Sequence, residues 1–201
     1  MSRNSIALAI TGASGAAYGL RLLECLINAG EEVHLMISKA AQMVIEMETD
    51  LKLSGTPQEM QQQLTTRYHA KENQLHVWGK EQWRSPVASG SAAPRAMVVC
   101  PCTSAFLSAC ANGSSNDLME RAADVAIKEQ RKLILVHRET PLSTIHLENA
   151  LKLARLGVII LPANPGFYQN PKTIDDIIDF IIARILDHLN IEHTLVPRWG
   201  E

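Results

Sequence analysis

The residues able to do chemistry fall in short loops of small or charged side chains. Thr11-Gly12-Ala13-Ser14-Gly15 follows an apolar run and precedes an amphipathic one. Small residues there let backbone N–H groups approach an anion at a helix start, which suggests a phosphate site. The loop is neither G-x-G-x-x-G nor G-x-x-x-x-G-K-[ST], so neither a dinucleotide fingerprint nor a P-loop is present. A tight turn capped by Ser14 explains the same residues as well. Ser38 ends the second apolar run. An NAD site would want an acid there for the ribose diol, which leaves a mononucleotide such as FMN open. Ser38 also suits the N-cap of a helix beginning at Lys39.

The charged candidates lie further along. Arg121 and Lys128 are seven apart on one expected helix, hence on one face and about 10 Å apart along its axis; alone, such a pair is an ordinary solvated face. Arg184 falls among Ile177, Phe180, Ile181 and His188, on or beside an apolar stripe where a cation needs an anion. Asp187 or Asp179 would provide one. Arg138-Glu139 puts a guanidinium and a carboxylate at a strand end, a combination that can bind phosphate and pass a proton, or else a surface ion pair worth little. Cys100-Pro101-Cys102 with Cys110 does not match the C-x2-C spacing of zinc sites, and no Cys/His group completes a tetrahedral set, so no metal is expected. His137 and His146 flank the Arg-Glu loop and read as capping or packing residues.

Positioning these loops requires elements. Apolar, β-rich runs at 6–11, 33–38, 75–78, 97–100, 133–136 and 158–161 alternate with amphipathic stretches at 16–29, 39–48, 103–111, 116–129, 143–156 and 173–190. Four or five of the former read as buried parallel strands and the latter as helices. The expected fold class is α/β, a doubly wound parallel sheet of Rossmann-like or flavodoxin-like type in a single domain, 1–201, with a tail at about 191–201. The polar stretch 51–84 is expected to form a helix and a short strand over one edge. In such a sheet ligands bind beyond the carboxyl ends of the strands, which is where the loops above fall.

Bulk composition narrows the class. The 201 residues are 46% hydrophobic and 20% charged, with 19 basic against 21 acidic side chains and a net charge of -2. That excludes a disordered chain and a broad basic field for nucleic acid. No apolar run approaches the roughly 18 residues needed to span a bilayer, and the N-terminus turns to Gly and Ser too soon for a signal h-region. A cytoplasmic location is expected, with the cysteines at 25, 100, 102 and 110 reduced and buried.

Taken together, Thr11-Gly12-Ala13-Ser14-Gly15, Ile37-Ser38-Lys39-Ala40-Ala41, Ala88-Ser89-Gly90-Ser91, Val99-Cys100-Pro101-Cys102, Glu120-Arg121-Ala122-Ala123-Asp124-Val125, Arg138-Glu139-Thr140-Pro141-Leu142 and Pro165-Gly166-Phe167-Tyr168 strongly resemble the UbiX-type flavin prenyltransferases. Each motif is weak alone; seven in order, over almost the whole chain to Arg198-Trp199, are specific. The resemblance implies a flavodoxin-like fold that binds FMN and attaches a dimethylallyl group from dimethylallyl monophosphate at N5 and C6 of the reduced flavin, without metal. The prenylated FMN would pass to a UbiD-type decarboxylase, for example in ubiquinone synthesis. By motif, Gly12, Ala13, Ser14, Ser38, Thr103, Ser104, Ala105, Phe106 and Arg121 would hold FMN. Ser89 and Gly90 would line the pocket, with Lys128, Arg138, Glu139, Tyr168 and Arg184 around the prenyl phosphate. Glu139 is the candidate for proton delivery to the phosphate, Ser14 acts near N5, and Trp83 faces the prenyl group. The family often carries Ser-x-x-Thr after Cys-Pro-Cys, whereas Thr103 and Phe106 stand here, and His137 stands where many relatives have proline. The resemblance also implies a homo-oligomer, a dodecamer with sites at subunit contacts. The competing readings are an FMN-dependent decarboxylase of the peptidyl-cysteine type, whose Asn-bearing loop is absent, and a non-enzymatic flavin carrier, which would need no second phosphate clamp.

Overall fold

The structure, a computed structural model, describes residues 5–197. Six strands form one parallel sheet: β1 (Ser5–Ile10), β2 (Glu32–Ile37), β3 (Leu75–Trp78), β4 (Ala96–Cys102), β5 (Lys132–His137) and β6 (Ile159–Ile160), in the spatial order β3-β2-β1-β4-β5-β6. The run 75–78 is the short strand expected over one edge of the sheet, preceded by the helix expected within 51–84, and it pairs in parallel with β2.

Successive side chains point to opposite faces of a strand. On β1, Ile6, Leu8 and Ile10 face one core while Ala7 and Ala9 face the other. The first core is closed by α1 (Ala16–Asn28), α2 (Lys39–Glu48), α3 (Pro57–Tyr68) and α7 (Ile174–Leu189). The second is closed by a short 3-10 helix (Pro86–Ala88), α4 (Ser104–Ala111), α5 (Leu118–Lys128) and α6 (Thr144–Arg155). The amphipathic stripes account for this assignment: Leu20, Leu23 and Ile27 on α1, and Ile178, Ile181, Ile185 and Leu189 on α7, meet across the first face. Arg21 and Asp179 join the two helices at 2.8 Å.

β4 runs two residues further than the apolar run implied, with a register shift between Val99 and Cys102. Cys100 therefore faces the first core and Cys102 the second. All four cysteines are free; Cys100, Cys102 and Cys110 are buried, while Cys25 is only half-buried, contrary to expectation, because it lies at the margin of α1's stripe. Burial pushes the Cys25 thiol up to about 11 and the Cys110 thiol to about 12. No helix among the described residues is long and apolar enough to cross a membrane.

Candidate active site

The loops after β1, β2, β4 and β5 converge at the carboxyl edge of the sheet. Thr11 ties the first to the third: its hydroxyl donates to the Pro101 carbonyl at 2.7 Å and accepts from the Thr103 amide at 2.9 Å. Gly12 abuts the start of α2 so closely that an added Cβ would stand 2.5 Å from Ala40 Cβ. Ser38 caps α2, accepting from Ala41 N–H at 3.0 Å, and Thr103 caps α4, accepting from Phe106 N–H at 3.1 Å. The first N–H groups of a helix have no partner within it. Lys39 and Ala40 at the start of α2, and Ser104 and Ala105 at the start of α4, thus present free amides, as do Gly12, Ala13 and Ser14 among the described residues. Unpaired amides at helix starts are the donors that an anion takes.

The start of α1 behaves differently. Gly15 takes the N-cap position at φ 104 with no cap from a side chain next to it, so Ser14 does not cap the turn. Instead Glu48, from the last turn of α2, accepts from Gly15 N–H and Ala16 N–H, both at 2.9 Å. An internal carboxylate has already taken the two amides where a phosphate was expected. Partial burial pushes the Glu48 carboxyl up, but hydrogen bonds from Ser14, Ala16 and Gly15 and the charge of Arg138 outweigh it, so the group lies below the usual carboxylate value. Sequence reasoning missed Glu48. The available signal was a carboxylate ending a helix, where the dipole disfavours negative charge.

Arg138 and Glu139 do not pair with each other. Arg138 Nε donates to the Ser14 carbonyl at 3.1 Å, which leaves both terminal nitrogens without an acceptor among the described residues. Glu139 Oε2 accepts the Ser104 hydroxyl at 2.9 Å, and its Oε1 accepts Thr140 N–H at 3.2 Å. The Ser104 hydrogen bond, then the Thr140 amide, hold the Glu139 carboxyl below its ordinary value. His146 caps α6 in a reciprocal box with Ser143, as expected of a capping residue. Phe106 has its ring buried in the second core and its amide donated to the Thr103 hydroxyl.

The remaining candidates lie elsewhere. α5 starts beside Lys80, at the carboxyl edge, and ends at Lys128 where β5 begins. β4 spans seven residues, so the two edges are about 20 Å apart. Gly90 packs against the Glu129 side chain, which pairs with Lys128, and Ser89 meets Ser91 at 3.1 Å. Arg121 stands between, donating to the Ala88 carbonyl at 3.2 Å and pairing with Asp124 at 2.8 Å. Arg184 pairs with Asp187, one of its two expected partners, at 2.7 Å and is half-exposed beside the stripe. It precedes Leu189, whose carbonyl accepts from Arg95 at the start of β4. One chain therefore brings Ser14, Glu48, Ser104, Arg138 and Glu139 together, and leaves Ser89, Gly90, Lys128 and Arg184 toward the opposite edge. Tyr168 lies in the loop beyond β6, edge-on to Phe180 at 5.7 Å. Trp83 is exposed ahead of the 3-10 helix, and Trp199 lies outside the described residues. No group of three or more His, Cys, Asp or Glu among the described residues is placed to hold a metal.

The family model described as Flavoprotein matches residues 1–186. The chain is 57% identical over 196 residues to Flavin prenyltransferase UbiX of Pseudomonas aeruginosa, covering 98% of this chain and 94% of that one. It is similar to the crystal structure of AnUbiX in complex with FMN and dimethylallyl pyrophosphate, with a TM-score of 0.88 at 37% identity over 99% of this chain and 98% of the other. A dodecameric FMN-dependent UbiX-like decarboxylase from Escherichia coli O157:H7 gives a TM-score of 0.87 at 38% identity, over 98% and 100% of the two chains.

Proposed function

Since the chain belongs to the flavoprotein family, among its UbiX-type flavin prenyltransferases, we propose that its donor is dimethylallyl monophosphate and that its product, prenylated FMN, serves a UbiD-type decarboxylase. The carrying observation is the convergence of the free backbone amides with Arg138 and Glu139 at one sheet edge. When bound, reduced FMN supplies the nucleophile that accepts the dimethylallyl group.

The residues present fit a flavin mononucleotide. Free amides at the starts of α2 and α4, the Ser38 hydroxyl, and the Gly12-Ala13-Ser14 loop suit a phosphate dianion without a dinucleotide motif. Thr103 stabilises α4, and Ser104 and Ala105 offer their amides. Arg121 would add a guanidinium to the same cofactor.

Leaving of the phosphate builds negative charge on its oxygens, which fixed donors stabilise. Arg138, anchored through Nε, keeps two terminal nitrogens for those oxygens. Glu139 would hold a proton for the departing phosphate; its carboxyl lies low in the chain alone, and an approaching dianion raises it by like-charge repulsion. Ser14 and Glu48 stand beside Arg138 and would be the groups that move a proton between them once FMN is bound. Ser89, Gly90, Lys128 and Arg184, too far along the sheet to join this cluster within one chain, would enter it from a neighbouring subunit, with Tyr168 closing the phosphate site. A homo-oligomer, a dodecamer by analogy with the E. coli O157:H7 protein, is supported by Ile145, Leu147, Leu151 and Leu156, all exposed on or beside α6. We place the protein in the cytoplasm as one domain.

Incubation with FMN, a reductant and dimethylallyl monophosphate tests the reading. The flavin should gain the mass of one dimethylallyl unit and change its absorbance. An unchanged flavin mass would return the chain to a decarboxylase or carrier role.

A further inference from the structure

His137, at the end of β5, is buried, with 5% of its surface exposed, and the chemistry above gives it no task. Its Nε2 lies 3.0 Å from Ser104 Oγ, and Ser104 Oγ lies 2.9 Å from Glu139 Oε2. The directions follow from donor counting. An ionised carboxylate only accepts, so the single Ser104 proton goes to Glu139, and Nε2 must be the ring nitrogen that carries hydrogen. Resting on the transferase reading above, we propose that His137 is a positioning residue: through Nε2–H it turns the Ser104 hydroxyl onto Glu139 and so sets the orientation and protonation of that carboxyl.

The surroundings support a fixed neutral ring. His146 of α6 meets it edge-on at 6.1 Å, Cys102 is its cross-strand partner on β4, Ser104 faces it from α4, and Arg138 and Glu139 follow it in the chain. Burial first, then His146, push the imidazole below its ordinary value, with Arg138 adding to this and Glu139 opposing it. A neutral ring has one N–H, and the Ser104 contact spends it. Without His137, the serine hydroxyl is free to turn elsewhere and the carboxylate loses its first stabilising donor.

The test compares wild type with His137→Phe, which has no N–H, His137→Gln, which restores one, and Ser104→Ala. In the ligand-free protein, the Glu139 side-chain carbon is titrated by NMR. His137→Phe and Ser104→Ala should raise its midpoint by about half a unit or more, and His137→Gln should hold it near wild type. In the transfer assay, activity that needs protonated Glu139 falls as pH rises through its titration. That descending limb should move to higher pH in the same two variants. A midpoint unmoved by His137→Phe overturns the proposal, as does an Nδ1–H tautomer in the wild-type ring by nitrogen-15 NMR, a measurement that stands even where His137→Phe does not fold. A wild type that leaves the flavin unprenylated would sink the transferase reading alone, because the carboxyl titration still decides the hydrogen-bonded line.

Discussion

Arg138 and Glu139 are adjacent in sequence yet serve different neighbours, Ser14 in the first loop and Ser104 at the start of α4. Adjacent residues at a strand end point apart, which lets one loop present a cation and a carboxyl to the same space without neutralising each other. Substituting Glu139 by Gln keeps the shape and the Ser104 contact but removes the transferable proton. FMN binding, followed by fluorescence titration, should persist while flavin prenylation slows by about a hundredfold or more; wild-type turnover would free Glu139 from proton delivery. This pair was legible in the sequence because both residue types stand at a strand end. Glu48 was not, since nothing local to it announces the two amides 32 and 33 positions earlier.

At the scale of elements, the start of α1 depends on the end of α2. Glu48→Ala should lower the urea midpoint by an amount corresponding to about 1 kcal/mol or less, the range of a lost helix cap on an exposed site. An unchanged midpoint would mean that water replaces the carboxylate without cost. The edge pair β2–β3 carries a pH dependence of its own. His34 is buried, accepts from Trp78 Nε1 at 3.1 Å and stacks on His76 at 5.3 Å. Burial pushes it from 6.5 down to about 4, Glu32 opposing and His76 reinforcing the effect. The unfolded chain takes up this proton below about 6.5 and the folded chain only near 4. Stability therefore falls as pH drops through that window and levels off below it. Urea unfolding monitored by Trp fluorescence should show up to about 3 kcal/mol lost there, and His34→Gln should flatten that part of the slope; an equally steep slope in the variant would assign it to other groups.

For the whole molecule, the sheet separates two sets of residues by the length of its strands. If Lys128 meets Arg138 only across a subunit contact, Lys128→Ala and Arg138→Ala each disable transfer, and dissociating and reassociating a mixture of the two should recover part of the activity. Mixed oligomers would contain some sites with both residues intact. Recovery no greater than the sum of the separate variants would place the two residues in one chain's site, or Lys128 outside it.

By itself the sequence determined the alternation of strands and helices, since periods of 2 and 3.6 are written in local order, and the loops beyond the strand ends that hold Gly12, Ser38, Ser104 and Arg138. It also determined, through seven motifs in order, the family. Strand 75–78 and the extension of β4 were less visible, because a four-residue run carries little periodicity and Pro101 interrupts an apolar pattern. Only the tertiary structure decided which groups meet: Glu48 on the start of α1, His137 through Ser104 on Glu139, and Lys128 removed to the far edge. The reason is physical. Periodicity sets the face a side chain takes on its own element, whereas its partners depend on where distant elements pack against one another.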